Sequence, residues 1–175
     1  GASNILEHAV KLSPNSVVRQ KNLGNIALKM SKPALAEQAF RKSVALGENS
    51  VLKTADAYIG LAKAYSANKN PDEAFKVLGR LNKSFTTNEV RLKALAVEGM
   101  VHHQQGNIEK AEQVATELTQ FLTSNDIHPD SSGTLEIAHL LMNTDNKEKA
   151  IALLQNEIKN NPDISDEDKK YIFDQ

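Results

Sequence analysis

Residues 54–81 read TADAYIGLAKAYSANKNPDEAFKVLGRL and contain two helical patterns joined by a short polar turn. In the first pattern Tyr58, Leu61 and Tyr65 recur at steps of three and four residues, which places them on one face of a helix. Pro71 then stands where a helix begins, because proline is tolerated at the first helical position. This stretch therefore predicts an antiparallel pair of α-helices.

The same arrangement returns along the chain at a nearly constant period. An alanine marks the start of the second helix of each pair, and these alanines are spaced by 38, 37 and 39 residues: Ala36, Ala74, Ala111 and Ala150. Twelve residues before each of them stands another small residue, which allows two helices to touch: Gly24, Ala62, Gly99 and Ala138. A period of this length indicates a helical repeat whose copies stack on one another.

No stretch shows the sustained alternation typical of a strand, so we predict an all-α fold. Asn70 and Asn107 are placed as N-caps, and none of the five prolines lies inside a predicted helix. The predicted helices span residues 3–12, 15–30, 33–46, 54–68, 71–84, 87–105, 108–124, 132–144, 147–160 and 165–174.

Composition excludes several classes of function. The 175 residues include 21 Lys and Arg against 22 Asp and Glu, and this net charge of -1 does not favour a nucleic-acid or membrane binder. There is no cysteine, no run of apolar residues long enough to span a membrane, and no phosphate-binding glycine motif. No two histidines stand at the spacing of a helical metal site. We predict a cytoplasmic protein that is not an enzyme and holds neither metal nor cofactor.

The pattern resembles the tetratricopeptide repeat (TPR). Seven signature positions of that family are matched in the second repeat: Tyr58, Leu61, Ala62, Tyr65, Ala74, Leu78 and Leu81. Glu98 and His102 in the third repeat depart from it, since the family has an apolar and an aromatic residue there. The resemblance implies one solenoid domain over residues 1–175, a right-handed superhelix of about four antiparallel helix pairs with a flanking helix at each end. Its expected parts are a half repeat 2–14, repeats 16–49, 54–87, 91–124 and 131–163, and a terminal helix 165–174.

The resemblance also implies that a protein or peptide binds in the concave groove formed by the first helix of each pair. Lysines above a floor of Met and Leu suit an acidic or carboxylate-bearing peptide, although the same lysines also fit a solvated surface. The candidate partner-binding residues are Lys21, Asn25, Lys29, Ile59, Lys63, Lys93, Met100, His103, His139 and Met142.

Two other binding functions remain as alternatives. Lys21, Asn25 and Lys93 match sites of the carboxylate clamp of co-chaperone members of the family, but Gly60 and Val97 stand where that clamp has an Asn and a basic residue. A helical-repeat RNA binder is disfavoured by the neutral overall charge. Apolar residues at the chain ends also predict a homodimer.

A narrower resemblance concerns two strings, LEHAVKLSPNSVVRQKNLGNIAL at residues 6–28 and AEQAFRKSVALGENSVLKTADAYIGLAKAY at residues 36–65. They look like the C-terminal repeat region of bacterial response regulators that carry an N-terminal CheY-like receiver. This resemblance implies a piece of a longer two-component signalling protein, in which the phosphorelay acts on the receiver and the repeats dock a partner protein.

Overall fold

The computed structural model describes residues 2–161, and this part of the chain is entirely helical apart from its turns. The helices, in chain order, are α1 (Ala2–Leu12), α2 (Val17–Lys29), α3 (Pro33–Gly47), α4 (Ala55–Ala67), α5 (Pro71–Ser84), α6 (Asn88–Gln104), α7 (Ile108–Ser124), α8 (Ser131–Met142) and α9 (Lys147–Asn160). The all-α prediction is confirmed for these residues, and each described helix lies within two residues of its predicted bounds. The helix predicted for residues 165–174 lies outside the described residues.

The first helix of each pair begins at a side-chain cap. The hydroxyl or carboxylate of the N-cap residue accepts a hydrogen bond from a backbone N–H of the first turn, which satisfies one of the donors that the helix start leaves open. These caps are Ser16, Thr54, Thr87 and Asp130. The second helices differ, because Asn70 and Asn107 occupy the predicted N-cap positions but their side chains accept no capping hydrogen bond.

The turns inside three successive pairs share one backbone form. Ser31, Lys69 and Gly106 each adopt a positive φ, at 54°, 62° and 77°. The backbone N–H of the residue after each of them reaches back to a carbonyl in the last turn of the preceding helix, as in Asn70 to Tyr65 at 2.9 Å. This left-handed closure folds the second helix back against the first.

The chain divides into two compact units, Gly1–Thr86 (unit 1) and Thr87–Gln175 (unit 2). In unit 1 the core is built around Phe40 of α3, whose ring is 0% exposed. The ring lies between Gly24 of α2 and Gly60 of α4, close enough that a methyl group on either glycine would overlap it. The Ser43 hydroxyl donates to the Val17 carbonyl at 2.9 Å, so the end of α3 meets the start of α2 and the pair is antiparallel.

Unit 2 repeats this design with aliphatic residues. Leu140 of α8 lies against Gly99 of α6, where a methyl group would come within 2.6 Å of a Leu140 methyl carbon. The surrounding core joins residues of all four helices, among them Leu92, Leu118 and Leu154. The predicted use of small residues at helix crossings is thus confirmed at Gly24 and Gly99, whereas the handedness of the superhelix and the assignment of all 175 residues to one domain stay predictions.

Among the described residues no helix combines the length and the apolar character that crossing a bilayer requires.

Candidate functional site

The outer face of α2 in unit 1 carries three of the predicted partner-binding residues. Lys21, Asn25 and Lys29 follow one another at four-residue steps, so they lie within an arc of about 80° on the helix surface. Asn25 and Lys29 are exposed and Lys21 is half-buried. Val18, 47% exposed, adds an apolar contact point on the same face. We call these four residues the α2 face; the opposite side of the helix is buried against the core.

The two lysines of the α2 face have no counter-ion among the described residues. Helix α2 contains no Asp or Glu at all. The acidic residue of neighbouring α3, Glu37, is engaged elsewhere, because it lies 3.7 Å from the Arg41 guanidinium and accepts a hydrogen bond from the Asn68 amide at 2.6 Å. Both ammonium groups are therefore open to a carboxylate brought by a partner.

Helix α4 is the first helix of the next pair and is in contact with α2 inside unit 1. Ile59 is only 5% exposed, so it contributes to the core of this unit rather than to an open surface. Lys63 is half-buried and interacts with other groups of the chain. The most accessible part of the predicted set in unit 1 is thus the α2 face.

Lys93 of unit 2 has a different environment from Lys21 and Lys29. Its side chain is 7% exposed, and its ammonium lies 3.2 Å from an Asp130 oxygen and 3.8 Å from a Glu89 oxygen. Burial and the adjacent Asp130 raise the pKa of Glu89. Burial alone would raise the pKa of Asp130 as well, but the hydrogen bond from the Gly133 backbone, together with Glu89 and Lys93, lowers it. Lys93 therefore fastens α6 to the start of α8 and is already neutralised by its own chain.

The remaining predicted residues of unit 2 lie on α6 and α8. Met100 is 9% exposed and belongs to the apolar core of this unit, and the half-buried Met142 packs against the same core. His103 and His139 are half-buried. The described residues contain no group of three or more His, Cys, Asp or Glu that would hold a metal ion. Unit 2 thus offers apolar and imidazole surface but no open ammonium group at the predicted positions.

The near-zero net charge of the chain conceals a division between the two units. Unit 1 has 13 Lys and Arg against 6 Asp and Glu, a net charge of +7, and unit 2 has 8 against 16, a net charge of -8. The total charge of the sequence does not reveal this division. Counting charge separately for each half would have found it.

A second feature that the sequence did not predict is a polar cluster in unit 1 around Tyr58. The Tyr58 hydroxyl donates to Glu48 at 2.7 Å, and the cations of Lys53 and Arg80 lie 5.8 and 5.6 Å from the centre of the Tyr58 ring. Burial and the Glu48 carboxylate raise the pKa of Tyr58 to about 12. Lys53 and Arg80 are both paired with Glu48, so this cluster holds α3, α4 and α5 together. It therefore offers less unpaired positive charge to a partner than the α2 face does.

Comparisons with known proteins bear on the repeats and the fold. Residues 21–82 match the family model of the tetratricopeptide repeat. Among curated proteins, the human protein O-mannosyl-transferase TMTC3 is 24% identical over 158 residues. That match covers 90% of this chain but 16% of the relative, so the chain spans only a small part of the transferase.

Solved structures share the fold. One crystal structure of MamA protein superposes with a TM-score of 0.56 at 18% identity, covering 93% of this chain and 82% of that one. A Podosopora anserina protein with nearly identical TPR-like repeats superposes with a TM-score of 0.52 at 17% identity, over 87% of this chain and 78% of that one. The family match is confined to residues 21–82, and the solved structures show that the helical fold extends over most of the chain.

Proposed function

We propose that this protein is a non-catalytic interaction scaffold that binds an acidic segment of a protein partner on the α2 face. Tetratricopeptide repeats are stacked helix pairs whose first helices form a binding surface. The observation that carries the proposal is the pair Lys21 and Lys29, two lysines that have no counter-ion within residues 2–161 and lie on a helix without carboxylates. A net charge of +7 on unit 1 supports it, because a positive field raises the rate at which acidic segments arrive.

The spacing of the two lysines defines the ligand. Eight residues of α-helix separate Lys21 from Lys29, a rise of about 12 Å. An extended peptide advances about 3.3 Å per residue, so two carboxylates four residues apart are separated by about 13 Å. The α2 face therefore suits an extended Glu-x-x-x-Glu segment, with Asn25 between the lysines to hydrogen-bond the peptide backbone and Val18 to contact an apolar side chain.

The test is fluorescence anisotropy with two labelled peptides of equal composition, one containing Glu-Ser-Gly-Ser-Glu and the other Glu-Glu-Ser-Gly-Ser. We expect the first to bind more tightly, and Lys21→Glu/Lys29→Glu to weaken it by about tenfold, since each exposed ion pair contributes up to about 1 kcal/mol. Lys42→Glu/Lys83→Glu is the matched control, because these exposed lysines lie on α3 and α5 of the same unit. Equal loss in both variants would show that net charge, and not the α2 face, governs binding.

We further propose that residues 1–175 serve as the partner-docking output of a bacterial response regulator in the cytoplasm. The support is the likeness of residues 6–28 and 36–65 to the repeat region of such proteins. A pull-down from a bacterial lysate, with wild-type protein beside the Lys21→Glu/Lys29→Glu variant, tests this role. Loss of a signalling protein in the variant alone would support it, and retention of the same proteins by both baits would argue against it.

A further inference from the structure

Helix α7 of unit 2 presents a surface that mirrors the α2 face. Glu109, Gln113 and Glu117 are exposed and follow one another at the same four-residue steps as Lys21, Asn25 and Lys29. The three α7 residues border a shallow hollow of about 500 Å³ along the outer side of the helix. We call Glu109, Gln113 and Glu117 the α7 face. Each copy of the chain therefore carries two helix faces of opposite charge and equal spacing.

We infer that a second copy of this chain occupies the α2 face, with its α7 face lying antiparallel on α2. The inference uses the same surface as the proposed function and names a partner for it. In this arrangement Lys29 meets Glu109, Lys21 meets Glu117, and the Asn25 and Gln113 amides pair between them. Both Lys–Glu pairs can form together, because the two helices have the same rise per residue and the lysines are therefore as far apart as the glutamates.

The charges of the two units favour this pairing over contact between like units. Bringing together a unit of +7 and a unit of -8 is attractive, whereas two copies of either unit repel each other. The helix dipoles add to this preference, since Lys29 lies in the last turn of α2 and Glu109 in the first turn of α7. Antiparallel packing then places opposite helix ends side by side.

The α7 face is free to change its pairing. Glu117 is 3.6 Å from the Arg91 guanidinium, but both side chains are more than half exposed, and such pairs contribute little. Glu98, half-buried on α6, has its pKa raised by burial and by the charge of Glu117. A lysine from a second copy would relieve this repulsion. Because the α2 and α7 faces differ, each copy offers both, and association continues until the assembly closes or extends.

Sedimentation velocity on the whole chain tests the inference. At about 0.01 M salt, where the Debye length is about 30 Å, we expect species heavier than the 19.2 kDa monomer to grow with protein concentration. At about 1 M salt, where it is about 3 Å, the monomer should dominate. A monomer at every concentration and salt level would overturn the inference.

Charge reversal identifies the faces. The variant Lys21→Glu/Lys29→Glu, on its own, should associate about tenfold or more weakly, because its α2 and α7 faces would both be negative and would repel each other. The variant Glu109→Lys/Glu117→Lys, on its own, should lose as much, because both of its faces would be positive. A mixture of the two variants should restore it, because every contact between them again joins opposite charges. Lys42→Glu/Lys83→Glu carries the same change in net charge off the α2 face and should weaken association less than Lys21→Glu/Lys29→Glu does. Failure of the mixture to recover, or equal loss in the control, would refute the pairing.

The peptide assay separates this inference from the proposed function. If the labelled acidic peptide binds through Lys21 and Lys29 while the chain stays monomeric, the proposed function stands and the second-copy inference fails. If the chain associates with the expected charge dependence while the peptide does not bind, the inference stands and the peptide-binding proposal fails.

Discussion

Replacement of Gly60 by alanine should destabilise unit 1, although the same change usually strengthens a helix. A Cβ on Gly60 would lie 2.3 Å from Cε1 and Cζ of Phe40, whereas ordinary van der Waals contact begins at 3.4 Å. The ring would have to retreat by about 1 Å to make room. It has little space to do so, because its other side lies against Gly24, where a Cβ would be 2.7 Å from Cε2, and because the ring is 0% exposed.

The expected magnitude follows from two opposing contributions. Overpacking a rigid core costs about 1–3 kcal/mol, and a ring confined at two opposite edges favours the upper end of this range. Alanine in place of glycine inside a helix stabilises that helix by about 1 kcal/mol. We therefore expect Gly60→Ala to lower the free energy of unfolding by about 2 kcal/mol. For a unit of this size the melting temperature should fall by about 10 °C.

Urea denaturation followed by circular dichroism measures this change, with Gly79→Ala as the matched control. Gly79 is an exposed glycine inside α5, and apart from the adjoining backbone of its own helix no atom lies within 4 Å of its Cβ position, so this variant should be more stable by up to about 1 kcal/mol. Phe40→Leu combined with Gly60→Ala should be more stable than the two single changes predict together. If Gly60→Ala were as stable as Gly79→Ala, the close packing of Phe40 against Gly60 would be refuted.

Three further predictions concern turns, caps and acidity, each read from denaturation curves. Lys69→Gly should stabilise the protein by about 1 kcal/mol, because lysine is strained at a φ of 62°. Gly106→Ala should lower the free energy of unfolding by a similar amount, because alanine would be strained at a φ of 77°. Unchanged stability in either variant would contradict the left-handed turns. Thr87→Ala should cost about 1 kcal/mol, since its side chain accepts a hydrogen bond from the first turn of α6, and an unaltered stability would exclude that cap. Burial and the charge of Glu117 raise the pKa of Glu98 in the folded state. The folded protein therefore binds a proton at Glu98 more tightly than the unfolded chain does, which favours folding at low pH. This favourable contribution is lost as the pH rises through the folded-state pKa of Glu98. Glu98→Gln should therefore be more stable than the wild type near neutral pH, and its stability should depend less on pH above the ordinary titration range of a glutamate; a variant with the wild-type pH dependence would refute this prediction.

Local patterns in the sequence were sufficient to predict the helices, because helix geometry depends on neighbours only three or four residues away. Patterns such as the steps of Tyr58, Leu61 and Tyr65 and the position of Pro71 placed the helices to within two residues. The caps were less predictable. Asn70 stands at the N-cap of α5 as expected, yet its side chain accepts no capping bond, since the φ of -119° and ψ of 69° differ from the extended backbone of the capping Thr54.

The candidate site could be predicted only in part. Lys21, Asn25 and Lys29, which the family resemblance implied, lie on one face of α2, and their role in binding stays a prediction. Lys93 was grouped with them because it holds a corresponding place in its own repeat. Its burial and its ion pair with Asp130 depend on a residue 37 positions along the chain, which the helical period around Lys93 does not report.

The sequence by itself determined the all-α class, the helix bounds, the period of the repeats and the small residues at the helix crossings. These properties follow from backbone geometry and from side-chain size repeated at short intervals. Only the tertiary structure decided which charges are available to a partner. Lys93 is neutralised by Asp130, 37 positions along the chain, whereas Lys21 and Lys29 have no counter-ion among the described residues, because a charge is neutralised by whichever group folding brings near it.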